Sequence, residues 1–320
     1  MISIQNVYYL LLYAWDALEQ GDVETHAAEP ETKLVDLLAT VLNQGIDRLL
    51  RQGLHRAYLA RQETIPGVRG KLDISATIKA DLFNRARTVC EFDELSHDVA
   101  HNRILKATVR NLLGTDGLSP RLREPLRSTW HRLHEVLDIP LTKRTFYHIQ
   151  LHRNNRLYRF LLDICRLLFD CLIPKERTGQ FAFRDFQRNE KLMRVLFERF
   201  IHNFFRHHAE GYSVKSERLE WEDTTGSAAD KRLLPRMRTD VTLRCPGRVI
   251  VVDAKFYRKT LQEYRNKETV RSAHLYQLYA YLRNVEITKE SAAEVEGILI
   301  RAYASNPAPI IPGGLISSRP

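Results

Sequence analysis

The chain has 320 residues, of which 44% are hydrophobic and 28% charged, and its formal net charge is +10. This length supports two domains with separate cores, and the composition is that of a globular protein. No apolar run approaches the roughly 20 residues that a membrane span needs, and the four scattered cysteines favour reduced thiols in a cytoplasmic protein over a zinc site.

The basic excess is concentrated in the second half of the chain. Residues 181–320 contain 24 Lys and Arg against 17 Asp and Glu, whereas residues 1–180 have a net charge of only +3. A basic excess favours a polyanionic partner such as nucleic acid. The apolar N-terminus lacks a basic leader and a small-residue cleavage site, so we expect no signal peptide.

The first half of the chain predicts helices around a small β-rich unit. Residues 4–20 are apolar on nearly every face and predict a buried helix, and residues 32–52 predict an amphipathic helix. Residues 55–95 are strand-like, with turns at Pro66-Gly67 and Gly70 and a basic tip. This unit is compatible with an ordinary hairpin and with a docking element. Further helices are predicted at 102–113, 120–137 and 157–172.

A second amphipathic helix is predicted from Asn189 to Phe205, and it carries two acids, Glu190 and Glu198. Either glutamate could add an acidic group to a metal site, and either could be an ordinary solvated helix charge. The chain has no phosphate-cradling glycine loop, so we do not expect it to hydrolyse nucleotides by itself.

Two short strands joined by a turn are predicted at residues 239–243 and 249–252. Asp240 belongs to the first strand, and Asp253 follows the second. Lys255 lies two residues further on, so its side chain and that of Asp253 point to the same side of an extended segment. A hairpin of this length brings Asp240 beside Asp253 at one edge of a sheet.

Two carboxylates and an ammonium group at the end of an apolar strand predict metal-dependent chemistry. Carboxylate and carbonyl oxygens are the ligands that Mg²⁺ prefers, which makes Asp240, Asp253 and the carbonyl of Ala254 candidate ligands. Lys255 would orient or activate a water molecule. The DxK tripeptide alone more often ends a strand in solvated charges, so the upstream aspartate is essential to this interpretation.

The segment after the motif adds a further polar pair. Residues 256–271 are basic and predict a loop, which either contacts a nucleic-acid backbone or is merely solvated. A helix follows at 272–284, with Gln277 and Tyr281 on one face. The order of acidic helix, Asp, DxK and QxxxY is typical of the RecB-like branch of the PD-(D/E)xK nucleases.

The chain resembles McrC, the nuclease subunit of the McrBC modified-cytosine restriction system. The resemblance covers about residues 4–300, through segments such as NVYYLLLYAW, IPGVRGKLDISATI, LLPRMRTDVTLR, VIVVDAKFY and LYQLYAYL. It implies that Asp240, Asp253 and Lys255 are catalytic. The motif itself adds Gln277 as a supporting residue and Mg²⁺ as the cofactor, with Glu190 the candidate helix ligand and Glu198 its alternative. Beyond Ile300 the sequence departs from the family, which predicts a truncated C-terminus.

The family resemblance also implies partners. McrC proteins work with an AAA+ GTPase ring that recognises methylated double-stranded DNA and uses GTP, and their N-terminal half docks into that ring. A pairing of two McrC subunits within the complex is compatible with this arrangement. The resemblance gives the β-rich unit a docking role that its residues alone do not establish.

The predicted architecture is an α+β N-terminal docking region (residues 1–175) followed by an α/β PD-(D/E)xK domain (residues 176–320). Two alternatives remain open. The chain could be a catalytically inactive docking subunit of the ring, which its atypical C-terminus favours, or a standalone RecB-like repair nuclease. Binding to an NTPase ring would separate the second alternative from the other two interpretations.

Overall fold

The computed structural model describes residues 2–18, 33–147, 149, 155–175, 180–221, 233–256, 262–264, 267–269, 271–287 and 294–302. The chain forms two compact units. The motif unit comprises Met1–Leu37 and Asp185–Pro320, and the central unit comprises Leu38–Arg184. This division differs from the predicted one at 175/176, because the first 37 residues belong with the C-terminal half.

The helices are α1 (Ile4–Ala14), α2 (Leu34–Gln52), α3 (Ile74–Lys79), α4 (Ala100–Leu113), α5 (Pro120–Arg132), α6 (Arg156–Cys171), α7 (Glu190–His208) and α8 (Ser272–Ile287). The strands are β1 (Ala57–Pro66), β2 (Lys71–Leu72), β3 (Arg87–Ser96), β4 (Thr115–Asp116), β5 (Leu172–Pro174), β6 (Phe181–Phe183), β7 (Ser213–Lys215), β8 (Arg218–Leu219), β9 (Met237–Arg238), β10 (Val241–Cys245), β11 (Arg248–Lys255), β12 (Gln262–Tyr264), β13 (Lys267–Thr269) and β14 (Glu294–Arg301). Within the described residues, none of the helices combines the length and apolar character needed to cross a bilayer.

Helix α1 packs on α7, which explains why the N-terminal residues belong to the motif unit. The ring of Tyr13 contacts the ring of Phe200, with centroids 5.4 Å apart. Asn203 Nδ2 donates a hydrogen bond to the carbonyl of Tyr13 at 2.8 Å. The helix ends earlier than the predicted residue 20, because Asp16 adopts a left-handed conformation (φ 54°) and pairs with His207 at 2.7 Å.

The central unit contains a three-stranded antiparallel sheet, in the order β1–β3–β2, where the sequence predicts a β-rich unit. The turns depend on glycine. Gly70 has a φ of 70°, and a Cβ atom there would lie 2.5 Å from the carbonyl oxygen of Glu91. The unit also holds a core of apolar side chains from its helices, including Ile104, Leu105, Leu126, Leu161 and Leu168.

The motif unit is built on a four-stranded sheet in the order β14–β11–β10–β7. Strand β11 pairs with β10 antiparallel and with β14 parallel. One face of β11 meets α7, where Phe256 lies 6.1 Å from Phe197 between ring centroids. Val249 and Val251 belong to the apolar cluster that includes residues of α8 such as Leu278. Coverage on both faces explains why residues 249–252 are uniformly β-branched.

Candidate active site

The predicted hairpin forms, and its register brings the two aspartates to its open end. Val241 pairs with Val252, so Asp240 and Asp253 flank the last paired residues of the two strands. The turn consists of Pro246 and Gly247, the latter with a φ of 77°. The first strand begins two residues later than predicted, at Val241.

Asp253 lies at the centre of the site and is almost fully buried, with a side-chain exposure of 1%. Its Oδ1 atom accepts a hydrogen bond from Nζ of Lys255 at 2.8 Å. Its Oδ2 atom is buried and has no hydrogen-bond partner among the residues that the structure describes. A buried charged oxygen without a partner is costly, so this atom is poised to receive a ligand. Ala254, between the two charged residues, is buried as predicted.

The carboxyl group of Asp240 has a raised pKa. Its pKa is raised to about 6, mainly by burial. A hydrogen bond from the backbone of Ala254 opposes this increase, and the charges of Asp253 and Glu198 contribute to it. That bond joins the Ala254 amide nitrogen to Oδ2 of Asp240 at 2.7 Å. A raised carboxyl pKa beside a second carboxylate is a feature of functional sites that bind a cation.

Helix α7 contributes Glu198 to this cluster rather than Glu190. Burial raises the pKa of Glu198, and the nearby charge of Asp253 acts in the same direction, while Arg194 and Lys255 lower it. Glu190 is the exposed first residue of α7, about 12 Å along the helix axis from Glu198. The described geometry therefore favours Glu198 over Glu190 as the acidic group that α7 adds to the site.

Helix α8 approaches the carboxylates with its Gln277 and Tyr281 side chains. Gln277 Nε2 donates to the hydroxyl of Tyr281 at 2.7 Å. Burial raises the pKa of Tyr281, and the charges of Asp253 and Asp240 raise it further, so the hydroxyl lies within their field. The structure thus brings the predicted Gln-x-x-x-Tyr pair to the same site as the DxK motif.

Two histidines that the sequence motifs do not single out also lie at the site. Burial lowers the pKa of His202, and its hydrogen bond to the backbone carbonyl of Asp240 counteracts this. His274 is buried, and burial followed by the charge of Lys255 lowers its pKa. Their spacing was the available signal, since His202 is four residues after Glu198 and His274 three before Gln277.

The donor set suits a magnesium ion that is completed by substrate and water. Among the described residues, no three His, Cys, Asp or Glu side chains come close enough to form a complete metal site. Mg²⁺ commonly uses only one or two carboxylates and keeps several waters or phosphate oxygens. The Asp240–Asp253 pair fits that pattern, with an Oδ2 atom on Asp253 that has no hydrogen-bond partner among the described residues. A pair of carboxylates without a third side-chain ligand is therefore compatible with a magnesium site.

Asp240→Asn is expected to stabilise the metal-free protein at alkaline pH. The pKa of Asp240 is raised from 3.8 to about 6, so holding the carboxylate ionised above pH 6 destabilises the fold. Allowing for partial solvent screening, the gain is about 1–2 kcal/mol at pH 8. It should shrink as the pH falls from 6 to 3.8 and vanish below, where the carboxyl is neutral in both states.

Urea unfolding in EDTA at pH 8 and pH 4 measures this effect. Asp185→Asn is the control, because Asp185 Oδ1 accepts a hydrogen bond from the backbone nitrogen of Gln187 at 2.8 Å, and the side-chain oxygen of asparagine can keep that bond. Equal or lower stability of Asp240→Asn at pH 8 would show that the carboxylate is not destabilised by its burial.

These features define a mixed α/β protein with two coupled carboxylates and a lysine at the end of a hairpin. The chain belongs to the family of McrBC 5-methylcytosine restriction system components, whose profile matches residues 5–300. The resemblance to McrC found in the sequence is thereby confirmed.

A curated relative supports the same assignment. The chain is 33% identical over 300 residues to an Escherichia coli (strain K12) protein described as type IV methyl-directed restriction enzyme EcoKMcrBC. The match covers 94% of this chain and 86% of that protein.

Two solved structures from Thermococcus gammatolerans are similar to this chain. The first is a half-complex from a tetradecameric assembly of McrB AAA+ hexamers with bound McrC, with a TM-score of 0.55, 20% identity and coverage of 91% of this chain and 63% of that one. The second is a McrBC complex, with a TM-score of 0.46, 21% identity and coverage of 64% and 59%. The chain thus spans less than two thirds of these structural relatives, and the first likeness supports the mixed α/β fold.

Proposed function

We propose that this chain is the endonuclease subunit of a GTP-dependent complex that cuts DNA containing modified cytosine. The observation that carries the proposal is the cluster of Asp240, Asp253 and Lys255, in which Asp253 retains a buried oxygen without a hydrogen-bond partner. Membership of the McrBC family supports the restriction role. The reaction would be hydrolysis of a DNA phosphodiester bond.

The motif unit is proposed to be a PD-(D/E)xK nuclease domain. A mixed sheet with α7 on one face and α8 on the other, and with the Asp and DxK residues on adjacent antiparallel strands, supports this assignment. The Gln277–Tyr281 pair beside the carboxylates supports a RecB-like variant.

Asp240 and Asp253 would hold a magnesium ion, with the carbonyl of Ala254 and the carboxylate of Glu198 as further ligands or ligands through water. When bound, the ion would supply Lewis-acid stabilisation of the phosphate and lower the pKa of the attacking water. Lys255 is anchored to Asp253 at 2.8 Å, which holds its ammonium group beside the reacting phosphate to orient the water and balance negative charge.

The central unit is proposed to dock into an AAA+ GTPase ring, which would recognise methylated DNA and consume the GTP. One structural relative, from Thermococcus gammatolerans, is an assembly of McrB AAA+ hexamers with bound McrC. The exposed apolar side chains near the turns of the central sheet would supply the contact, among them Val68, Ile74, Ile78 and Phe83. None of the four cysteines, all of which the structure describes, forms a disulfide, and Cys90, Cys165 and Cys171 are buried, which agrees with a cytoplasmic setting.

The direct test mixes this chain with its ring partner, GTP, Mg²⁺ and cytosine-methylated plasmid, and follows cleavage and GTP turnover together. Cleavage that requires the chain, the ring and methylation is the expected result. Stimulated GTP turnover without cleavage would instead make the chain a docking subunit. Cleavage of unmethylated DNA by the chain alone would favour a standalone nuclease.

Glu198→Gln is expected to reduce cleavage by about 10²-fold, because it removes a charge that faces Asp253. Glu190→Gln provides a matched control on the same helix, and its cleavage rate should stay within about twofold of wild type. Plasmid cleavage at several Mg²⁺ concentrations measures both, and the Glu198 variant should need more Mg²⁺. A larger loss in Glu190→Gln would reassign the acidic ligand to the start of α7.

A further inference from the structure

A second cationic side chain lies beside Lys255 at the carboxyl end of the sheet. Strands β11 and β14 are parallel, and their register pairs Lys255 with Arg301, the last residue of β14. Paired residues on neighbouring strands point to the same face. Arg301 therefore projects on the face of Asp253 and Lys255, where α8 packs.

The α8 face of these strands confirms this direction. Leu299 pairs with Asp253, and it packs against the apolar cluster that includes Leu278 of α8. Gly297 lies two residues before Leu299, and a Cβ atom there would come within 2.8 Å of Leu282. Side chains alternate along a strand, so Gly297, Leu299 and Arg301 all face α8.

The guanidinium group of Arg301 has a buried N–H donor that lacks an acceptor in the described part of the chain. Its Nη1 atom is buried and makes no hydrogen bond to any described residue. Leaving such a charged donor without an acceptor is unfavourable, so the position favours a ligand with acceptor oxygens. The acids on its own strand do not compensate it, because Glu296 lies toward the other end of β14 and pairs with Arg248 at 2.7 Å.

The surroundings of Arg301 are positively charged on this face. The charges of Lys255, Arg271 and Arg301 all lower the pKa of His274, so each of these groups lies within electrostatic range of His274. The charge of Asp253 acts on His274 in the opposite direction, and one oxygen of Asp253 already accepts a hydrogen bond from Lys255. Three cationic side chains around His274, next to the Asp240–Asp253 pair, suit the binding of an anionic ligand.

We propose that Arg301 binds a backbone phosphate of the DNA strand that is cut, beside the Asp240–Asp253 pair. This inference rests on the proposed nuclease function and adds a substrate-binding residue that lies just beyond the residues matched by the family profile. The planar guanidinium donates two parallel hydrogen bonds to phosphate oxygens, which a lysine cannot reproduce. A phosphate oxygen of the substrate would then accept the hydrogen bond from Nη1.

Arg301→Gln tests the proposal through DNA binding as well as cleavage. The full chain is titrated with a 30-base-pair duplex in Ca²⁺, at several salt concentrations, by fluorescence anisotropy. Loss of one phosphate contact should weaken binding about tenfold and reduce the slope of log K against log salt by about 0.9. Cleavage by the complex with its ring partner should fall at least as much at low DNA concentration.

Arg248→Gln is the matched control. It removes the same charge from the other end of the β11–β14 pair, about 23 Å from Lys255, and breaks an exposed ion pair with Glu296 and a long hydrogen bond to the hydroxyl of Tyr212. Its salt slope and cleavage rate should match those of wild type. Arg301→Lys keeps the charge and should show an intermediate affinity with a wild-type slope, and it carries the test if the glutamine variant does not fold.

The outcomes separate this inference from the proposed function. Wild-type DNA binding and salt slope in a folded Arg301 variant, with cleavage intact, would overturn the phosphate contact alone. Equal losses in Arg301→Gln and Arg248→Gln would also overturn it, because the effect would then be nonspecific charge. A wild-type chain that neither binds nor cuts DNA in the complex would overturn both proposals.

Discussion

Asp253→Asn is expected to abolish DNA cleavage by the assembled complex while leaving stimulated GTP turnover at the wild-type level. The substitution keeps the shape of the side chain and an acceptor for Lys255, but it removes the negative charge from the buried site. Both the cation and the anchored ammonium depend on that charge. We expect a loss on the order of 10³-fold in cleavage rate.

Single-turnover cleavage of methylated plasmid and GTP turnover in the same mixture measure this effect. Asp185→Asn, an identical chemical change in the same unit, should leave both activities unchanged. Removing a buried carboxylate also relieves repulsion with Asp240, so the variant should unfold no more easily than wild type. Wild-type cleavage by Asp253→Asn would show that the reaction occurs elsewhere in the complex.

The arrangement of the site could be anticipated from sequence where it depends on local geometry. The β-branched run, the Pro-Gly turn and the spacing from Asp240 to Asp253 define a hairpin, and the observed register places the two aspartates together. The Gln277–Tyr281 contact follows from helical spacing alone. Short-range periodicity and turn chemistry determine both features.

Features that depend on distant pairing could not be anticipated in the same way. Glu190 and Glu198 both lie on α7, and only the packing of α7 against the sheet distinguishes them. Arg301 reaches the site through a parallel pairing with β11 across 46 residues of sequence. Helix α1 is apolar on most faces, and such a helix does not reveal its partner in the sequence.

The segment after the motif illustrates a further limit. Residues 256–271 were predicted to form a loop, but β12 and β13 form a two-stranded antiparallel ladder within it. Tyr264 pairs with Lys267 at the closed end of this hairpin. The charged composition concealed the strands, because charged residues are depleted in strands on average. The predicted truncation concerns the sequence beyond Ile300, which lies outside the described part of the chain except for residues 301 and 302.

Ile78→Asp is expected to disconnect the chain from its ring partner without unfolding it. Ile78 is 62% exposed on α3, and Ile74, one turn earlier, is 57% exposed. Exposed apolar side chains grouped on one helix face are typical of protein interfaces. A charge placed in the centre of such a contact costs about 2 kcal/mol or more, which corresponds to roughly 30-fold weaker binding.

The ring-dependent activities should therefore fail together. GTP turnover should return to the level of the ring alone, and methylated plasmid should remain uncut, while the affinity of the isolated chain for a short duplex stays unchanged. Tyr58→Asp is the control. Tyr58 is 72% exposed near the start of β1, at the end of the strand away from the turn that leads to β2 and α3, so it should not contact the ring. The melting temperatures of both variants should stay close to that of wild type, since surface substitutions usually change stability by no more than about 0.5 kcal/mol. Full GTPase stimulation by Ile78→Asp would move the docking surface away from α3, whereas equal failure of both variants would assign it to the sheet as a whole.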